Sequence, residues 1–139
     1  MTTQSIAFEV ALDNAPYEKA IELVTAALKT EGFGILTRID VRATLKEKIN
    51  ADFRPYAILG ACNPPLAHRA LSHDAEVGLM LPCNVTVEAT PAGGSVVRIA
   101  DPDVFLQVGQ FQHDKELRAI ASEARERLQR AVSTLKAAK

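Results

Sequence analysis

The sequence has no tryptophan, only two cysteines among 139 residues, and no excess of charge, because its formal net charge is -1. Near-neutral charge gives no basic surface for nucleic acid or anionic membranes. No apolar run approaches the ~18 residues of a membrane-spanning helix, and the polar start Met1–Ser5 lacks the regions of a signal peptide. We therefore expect neither nucleic-acid nor membrane partners. The expected location is the cytoplasm, with both thiols reduced.

The sequence does have enough apolar side chains, 47% of the total, for a substantial hydrophobic core. A chain of this length predicts one domain spanning residues 1–139, which folds without a metal or a disulfide. Composition gives no further indication of function.

Five segments have the alternation or the apolar character typical of β-strands, at 4–10, 33–39, 56–62, 83–90 and 95–100. The turn Pro91–Gly94 joins the last two into a hairpin. The third segment differs because it is apolar on both faces, with Tyr56 and Ile58 on one side and Leu59 and Ala61 on the other. Such a strand is covered on both sides, by its own chain or by a partner subunit.

Helices are predicted between these strands from caps and from apolar stripes at helical spacing. Asp13 or Asn14 is expected to cap the first, Asp40 a short second one, and Asn63 a third that begins with two prolines. Residues 103–112 are expected to be irregular or briefly helical. A long last helix from Asp114 has one apolar stripe, formed by Leu117, Ile120, Ala121, Ala124, Leu128, Ala131, Val132 and Leu135. This order favours an α+β fold with a mainly antiparallel sheet.

Cys62 is the first candidate for chemistry, because it lies where a buried strand runs into the N-terminus of a helix. A thiol at such a terminus can have its pKa lowered, which suits a nucleophile or a metal ligand. His68 lies one turn further along this helix, and its side chain could face the same helix N-terminus as Cys62. The alternatives are a Cys62 that only packs, a His68 at the surface and an Asn63 that only caps the helix.

Cys83 shares a strand face with Val85 and Val87, which predicts that it lies in the core. The spacing of the two cysteines matches no CxxC redox pair and no standard zinc pattern. A metal site would need Cys62 and His68, with His73 or Cys83 and a residue from another subunit. Asp101 and Asp103 flank a proline and predict a turn rather than an acid–base pair.

Two blocks, Tyr56–His68 and Gly78–Val85, resemble the bacterial and archaeal family named domain of unknown function 302. The resemblance implies a curved antiparallel sheet of the TATA-box-binding-protein-like type, in the order β-α-β(4)-α, packed on a long C-terminal helix. It also implies a homodimer. The family has no settled activity, so the resemblance identifies no catalytic residue and leaves the cofactor unknown. It does mark the motif positions of the family, which are Cys62, Asn63, His68, Cys83 and Asn84.

Two functions are compatible with these observations. In the favoured one the chain is a small homodimeric binding or accessory module, with the doubly apolar strand at the dimer interface and a pocket near Cys62 for a small molecule, haem or a metal. In the alternative the chain is a thiol-dependent enzyme for redox or sulfur-transfer chemistry, with Cys62 as nucleophile and His68 as base.

Overall fold

The computed structural model describes residues 5–138, which form five strands, five helices and two 3-10 turns. The strands are β1 (Ala7–Leu12), β2 (Gly34–Asp40), β3 (Tyr56–Cys62), β4 (Cys83–Ala89) and β5 (Ser95–Ala100). The helices are α1 (Tyr17–Lys29), α2 (Val41–Ile49), α3 (Pro64–His73), α4 (Pro102–Phe105) and α5 (Lys115–Ala137). The 3-10 turns span Ala75–Met80 and Gly109–His113.

The strands form one curved antiparallel sheet in the order β1-β5-β4-β3-β2. All four pairings are antiparallel, and β1 closes one edge of the sheet by pairing with β5. The α+β class, the antiparallel sheet and the long C-terminal helix are therefore confirmed. No helix within residues 5–138 has the length and apolar character needed to cross a membrane.

The core lies between one face of the sheet and the two long helices α1 and α5, which also pack on each other. Alternate strand residues such as Leu59, Val85 and Val97 are buried against these helices. All eight residues of the apolar stripe predicted for the last helix are buried. The stripe could be predicted from the sequence because helical spacing places all of its residues on one side of α5.

The opposite face of the sheet, here called the open face, is covered only in part. Tyr56 and Ile58 of β3 are half-buried on it, and Ile39 of β2, which pairs with Ile58, is 48% exposed. Gly60 lies on this face too and has no room for a side chain, because an added Cβ would lie only 2.8 Å from Cγ of Pro82. The expectation that β3 is apolar on both faces is confirmed, but this chain buries only one of them fully.

Two local predictions need correction. Helix α1 begins after Pro16, which carries no side-chain cap, so neither Asp13 nor Asn14 caps it. The first strand begins at Ala7, and position 4 lies outside the described residues. The segment 103–112, expected to be irregular or briefly helical, holds most of α4 and of the second 3-10 turn, which confirms the brief helices.

Candidate functional site

An apolar cavity of about 110 Å³ lies at the end of the sheet where β3 and β5 finish and β4 begins. Helix α3 forms one wall with Leu66, Ala67 and Ala70. Helix α5 forms the opposite wall with Ile120, Ala121 and Ala124. Four of these six side chains are alanines, so the facing stripes leave space between the two helices.

Helix α4 closes the cavity from a third side with Pro102, Phe105 and Leu106. Its position is fixed by the two aspartates that flank Pro102. The carboxylate of Asp101 accepts from its own helix at Asp103 N and from Nε of Arg125, at 3.0 Å each. Asp103 pairs with Arg118 at 3.0 Å. These two aspartates therefore hold helix α4 against helix α5, and they also form the turn that the sequence predicts.

Asn63 sets the position of α3 at its first turn and is 7% exposed. Its Oδ1 accepts from the backbone N–H of Leu66 at 3.3 Å, which confirms the predicted cap. Its Nδ2 donates to the carbonyl of Glu31 at 3.4 Å, in the loop after α1, where Gly32 has a φ of +84° and a Cβ would lie 3.1 Å from that nitrogen. The amide of Asn63 thus ties two segments together, which the sequence did not indicate.

Cys83 is the cysteine that lines the cavity. It pairs with Ala61 across the sheet, and this register turns it toward the core side, as its alternation predicts. Burial, and to a smaller extent the neighbouring Cys62, raises the pKa of the Cys83 thiol to about 11. Cys83 is therefore a neutral thiol at pH 7.

Cys62 ends β3 directly before the residue that caps α3, and it is a half-buried free thiol. It is not part of the cavity wall. His68 is exposed on α3 and lines a separate surface depression with Arg69, Ser72, His73 and Glu116. Cys62 does not line that depression either, so neither of these two hollows brings Cys62 and His68 together.

Asn84 also lines the cavity, and it is exposed while its neighbours in the wall are buried or half-buried. Its register partner is Gly60, so its exposed side chain lies on the open face, whereas Cys83 faces the core side. Of the five motif positions in the family, three border this cavity, namely Asn63, Cys83 and Asn84. The other two, Cys62 and His68, lie outside it.

Metal ligands do not come together in residues 5–138, where no group of three or more His, Cys, Asp and Glu could hold a metal ion. The weak metal candidates Cys62 and His68 therefore gain no third ligand from this part of the chain. The volume of the cavity is also far below the ~300 Å³ at which pockets for drug-sized ligands begin, so haem does not fit inside it.

The comparisons with known proteins agree with this architecture. A family model described as "Domain of unknown function DUF302" matches residues 8–135. The chain belongs to the DUF302 family. A solved DUF302 structure, the uncharacterized conserved protein from Bacillus stearothermophilus, is 30% identical and superposes with a TM-score of 0.81. The likeness covers 94% of this chain and 98% of that one. No curated protein matches the chain.

Proposed function

We propose that this DUF302 protein is a homodimeric binding module whose ligand site is the apolar cavity at the end of its sheet. The observation that carries the proposal is the cavity itself, about 110 Å³ between α3, α4 and α5. The atoms that border such a space lack packing partners on one side. A fold that keeps such a space forgoes packing that larger side chains at its alanines would supply.

The preformed walls support a binding role. Ion pairs hold α4 on α5, and the Asn63 amide holds the start of α3, so the cavity needs no rearrangement to exist. Small-molecule sites are generally preformed, concave and mostly apolar, with a small number of polar groups.

The open face of the sheet supports the homodimer. Its apolar part consists of Ile39, Ile58 and Tyr56 on β2 and β3, with exposed Leu36 near by on the edge strand. Exposed contiguous apolar surface of this kind marks interaction sites. A second copy related by a two-fold axis would bury the same residues in both protomers. The register places Asn84 on this face opposite Gly60, so its exposed side chain would lie toward the partner.

The oligomeric state is tested by native mass spectrometry at micromolar concentration, on the untagged protein. We expect a dimer that Ile39→Lys converts to a monomer, because a charge would be buried in the interface. Val108→Lys is the matched control, since Val108 is 47% exposed and Ile39 is 48% exposed. A monomeric wild type, or dissociation by both variants alike, contradicts the proposed interface.

The cytoplasm is the proposed location, because both cysteines are free thiols and structural disulfides are rare in that reducing compartment. Nucleic acid and membranes are not among the proposed partners. Metal analysis of the same untagged protein is expected to find no stoichiometric metal, and a bound metal at one per chain would argue for a different ligand class.

A thiol-dependent enzyme is the alternative function, and the position of Cys62 favours it. The thiol is half-buried, and it directly precedes Asn63, the residue that caps α3. His68 is exposed on the outer side of α3 and lines a depression that Cys62 does not border, so no base is assigned to Cys62. The reactivity of the two thiols separates this alternative from the binding module.

A further inference from the structure

The wall of the cavity defines the charge of any ligand that the proposed site can take. None of the eighteen described residues that line it is Asp, Glu, Lys, Arg or His. Its one ionisable group, the Cys83 thiol, is neutral at pH 7 because burial raises its pKa to about 11. A charged group inside would lose its hydration and gain no partner of opposite charge. The wall therefore selects uncharged molecules.

The polar groups of the wall define where a ligand can be polar. Inside the cavity, Asn63 has both ends of its amide engaged, by Leu66 N and by the carbonyl of Glu31. The Cys83 thiol is at most a weak donor. Asn84 also borders the cavity, but the register turns its side chain to the open face, opposite Gly60 and away from the side that Cys83 faces. A ligand therefore gains little from a polar group inside the cavity.

The volume defines the size of the buried part. An engineered apolar cavity of about 150 Å³ in another protein accepts benzene or xenon. The 110 Å³ found here is smaller, so it holds an apolar group of about four to six heavy atoms. The rest of a longer molecule would lie outside the cavity.

We infer that the cavity takes the apolar part of a small uncharged molecule. This inference rests on the proposed function, in which the cavity is the ligand site, and it specifies the class of ligand. It separates neutral alcohols, hydrocarbons and similar molecules from carboxylates, amines, nucleotides and metal ions.

The test uses four probes, each titrated into the intact wild-type protein and monitored by backbone NMR. Benzene and 1-butanol are the neutral probes, whereas butyrate and butylammonium carry a similar apolar chain with a negative or a positive charge. We expect the neutral probes to shift the amide signals of wall residues such as Ala67 and Ala121. The charged probes should bind the same wall at least about tenfold more weakly, because of their desolvation.

Two variants locate the binding. Ala121→Met fills the cavity from α5 and should abolish binding of both neutral probes, while Ala119→Met makes the same change at an exposed position of that helix and should leave binding unchanged. The NMR spectrum of each variant shows directly that it is folded.

The outcomes distinguish the inference from the proposed function. Equal or tighter binding of butyrate or butylammonium at the wall overturns the uncharged class and leaves the cavity as a ligand site. The inference is also overturned if the neutral probes shift only the signals of residues outside the wall. It is overturned likewise if Ala121→Met does not block their binding. If no probe of either class shifts the wall, the cavity is not a ligand site and both proposals fail.

Discussion

The imidazole Nε2 of His73 lies 2.7 Å from Oδ2 of Asp114, which joins the last residue of α3 to the residue that caps α5. The pair links the two helices that form opposite walls of the cavity. Its hydrogen bond to Asp114 raises the pKa of His73. The pKa of Asp114 is lowered, first by the backbone N–H of Leu117 and second by His73. Arg69, Glu116 and Asp74 are the other charged groups near this histidine.

The stability that this pair supplies depends on pH with a definite sign. Because the folded-state pKa of His73 is raised, its contribution is complete below the unfolded value of about 6.5 and is lost as pH rises through the folded value. Because the pKa of Asp114 is lowered, its contribution is present above the unfolded value of about 3.9 and is lost as pH falls. Both contributions are therefore present between about pH 4 and pH 6.5.

We expect the difference in unfolding free energy between wild type and His73→Gln to be greatest near pH 5–6 and to shrink above neutrality. Urea denaturation at a series of pH values measures it. Asp114→Asn is the companion variant, since asparagine keeps the acceptor for Leu117 N and removes the charge. Asp114→Asn should lose the same pH-dependent part of the unfolding free energy. A difference from wild type that stays constant from pH 5 to pH 9 would contradict the contribution of the His73–Asp114 pair.

The amide of Asn63 offers a graded test of how the first turn of α3 is held. Asn63→Ala removes both the cap to Leu66 and the bond to Glu31, and should lower the unfolding free energy by about 1–3 kcal/mol. Asn63→Ser keeps a capping oxygen but is too short to reach Glu31, so its loss should be smaller. Thermal and urea unfolding of the two variants gives the comparison, and equal losses would mean that the bond to Glu31 contributes nothing.

Local signals explain which parts of the fold could be predicted. The bounds Tyr56–Cys62 of β3, the cap at Asn63 and the buried stripe of α5 each depend on residues a few positions apart, and all three are confirmed. The predicted cap of α1 was wrong because Pro16 disfavours a helical conformation at the residue before it. The chain therefore stays extended through Pro16, and the helix begins too late for Asp13 or Asn14 to reach it.

The cavity could not be predicted, because its walls come from segments far apart in the sequence. Helix α3 ends at His73 and helix α5 begins at Lys115, and the short helix α4 gave no periodic signal. The alanines at 67, 70, 121 and 124 were visible, but facing stripes of small residues are recognisable only when the helix pairing is known. His68 lies about 200° around α3 from the buried Leu66, which turns its side chain outward.

Reactivity of the thiols decides between the binding module and the thiol-dependent alternative. In Cys62→Ala the remaining Cys83 should react slowly with iodoacetamide at pH 7, because a pKa of about 11 leaves little thiolate. Its rate should rise about tenfold per pH unit from 7 to 10. Mass spectrometry of the alkylated protein measures both this rate and that of Cys62 in Cys83→Ala.

The thiol-dependent alternative requires Cys62 to react faster than a small-molecule thiol at the same pH. If both thiols react slowly, the thiol-dependent alternative is wrong. A Cys83 that reacts at pH 7 as fast as a free thiol would contradict the burial found here, and would open the question of redox chemistry inside the cavity.

Filling the cavity should stabilise the protein, and this prediction tests whether the space is retained at a cost. Ala121 is 1% exposed and lines the cavity, whereas Ala27 of α1 is 2% exposed and does not. Methionine is flexible, and helices tolerate it well. Ala121→Met should therefore raise the unfolding free energy by about 1 kcal/mol, because its added apolar atoms enter existing space. Ala27→Met should lower it by about 1–3 kcal/mol, because the same atoms have no space to enter.

Urea denaturation of both variants measures the two changes on a common scale, with an unchanged slope as the sign that the folded and unfolded states stay comparable. Destabilisation by both substitutions alike would mean that the space at Ala121 is too narrow to accept a side chain. A stabilised Ala121→Met that no longer binds neutral probes would show that the chain forgoes stability to keep the site open.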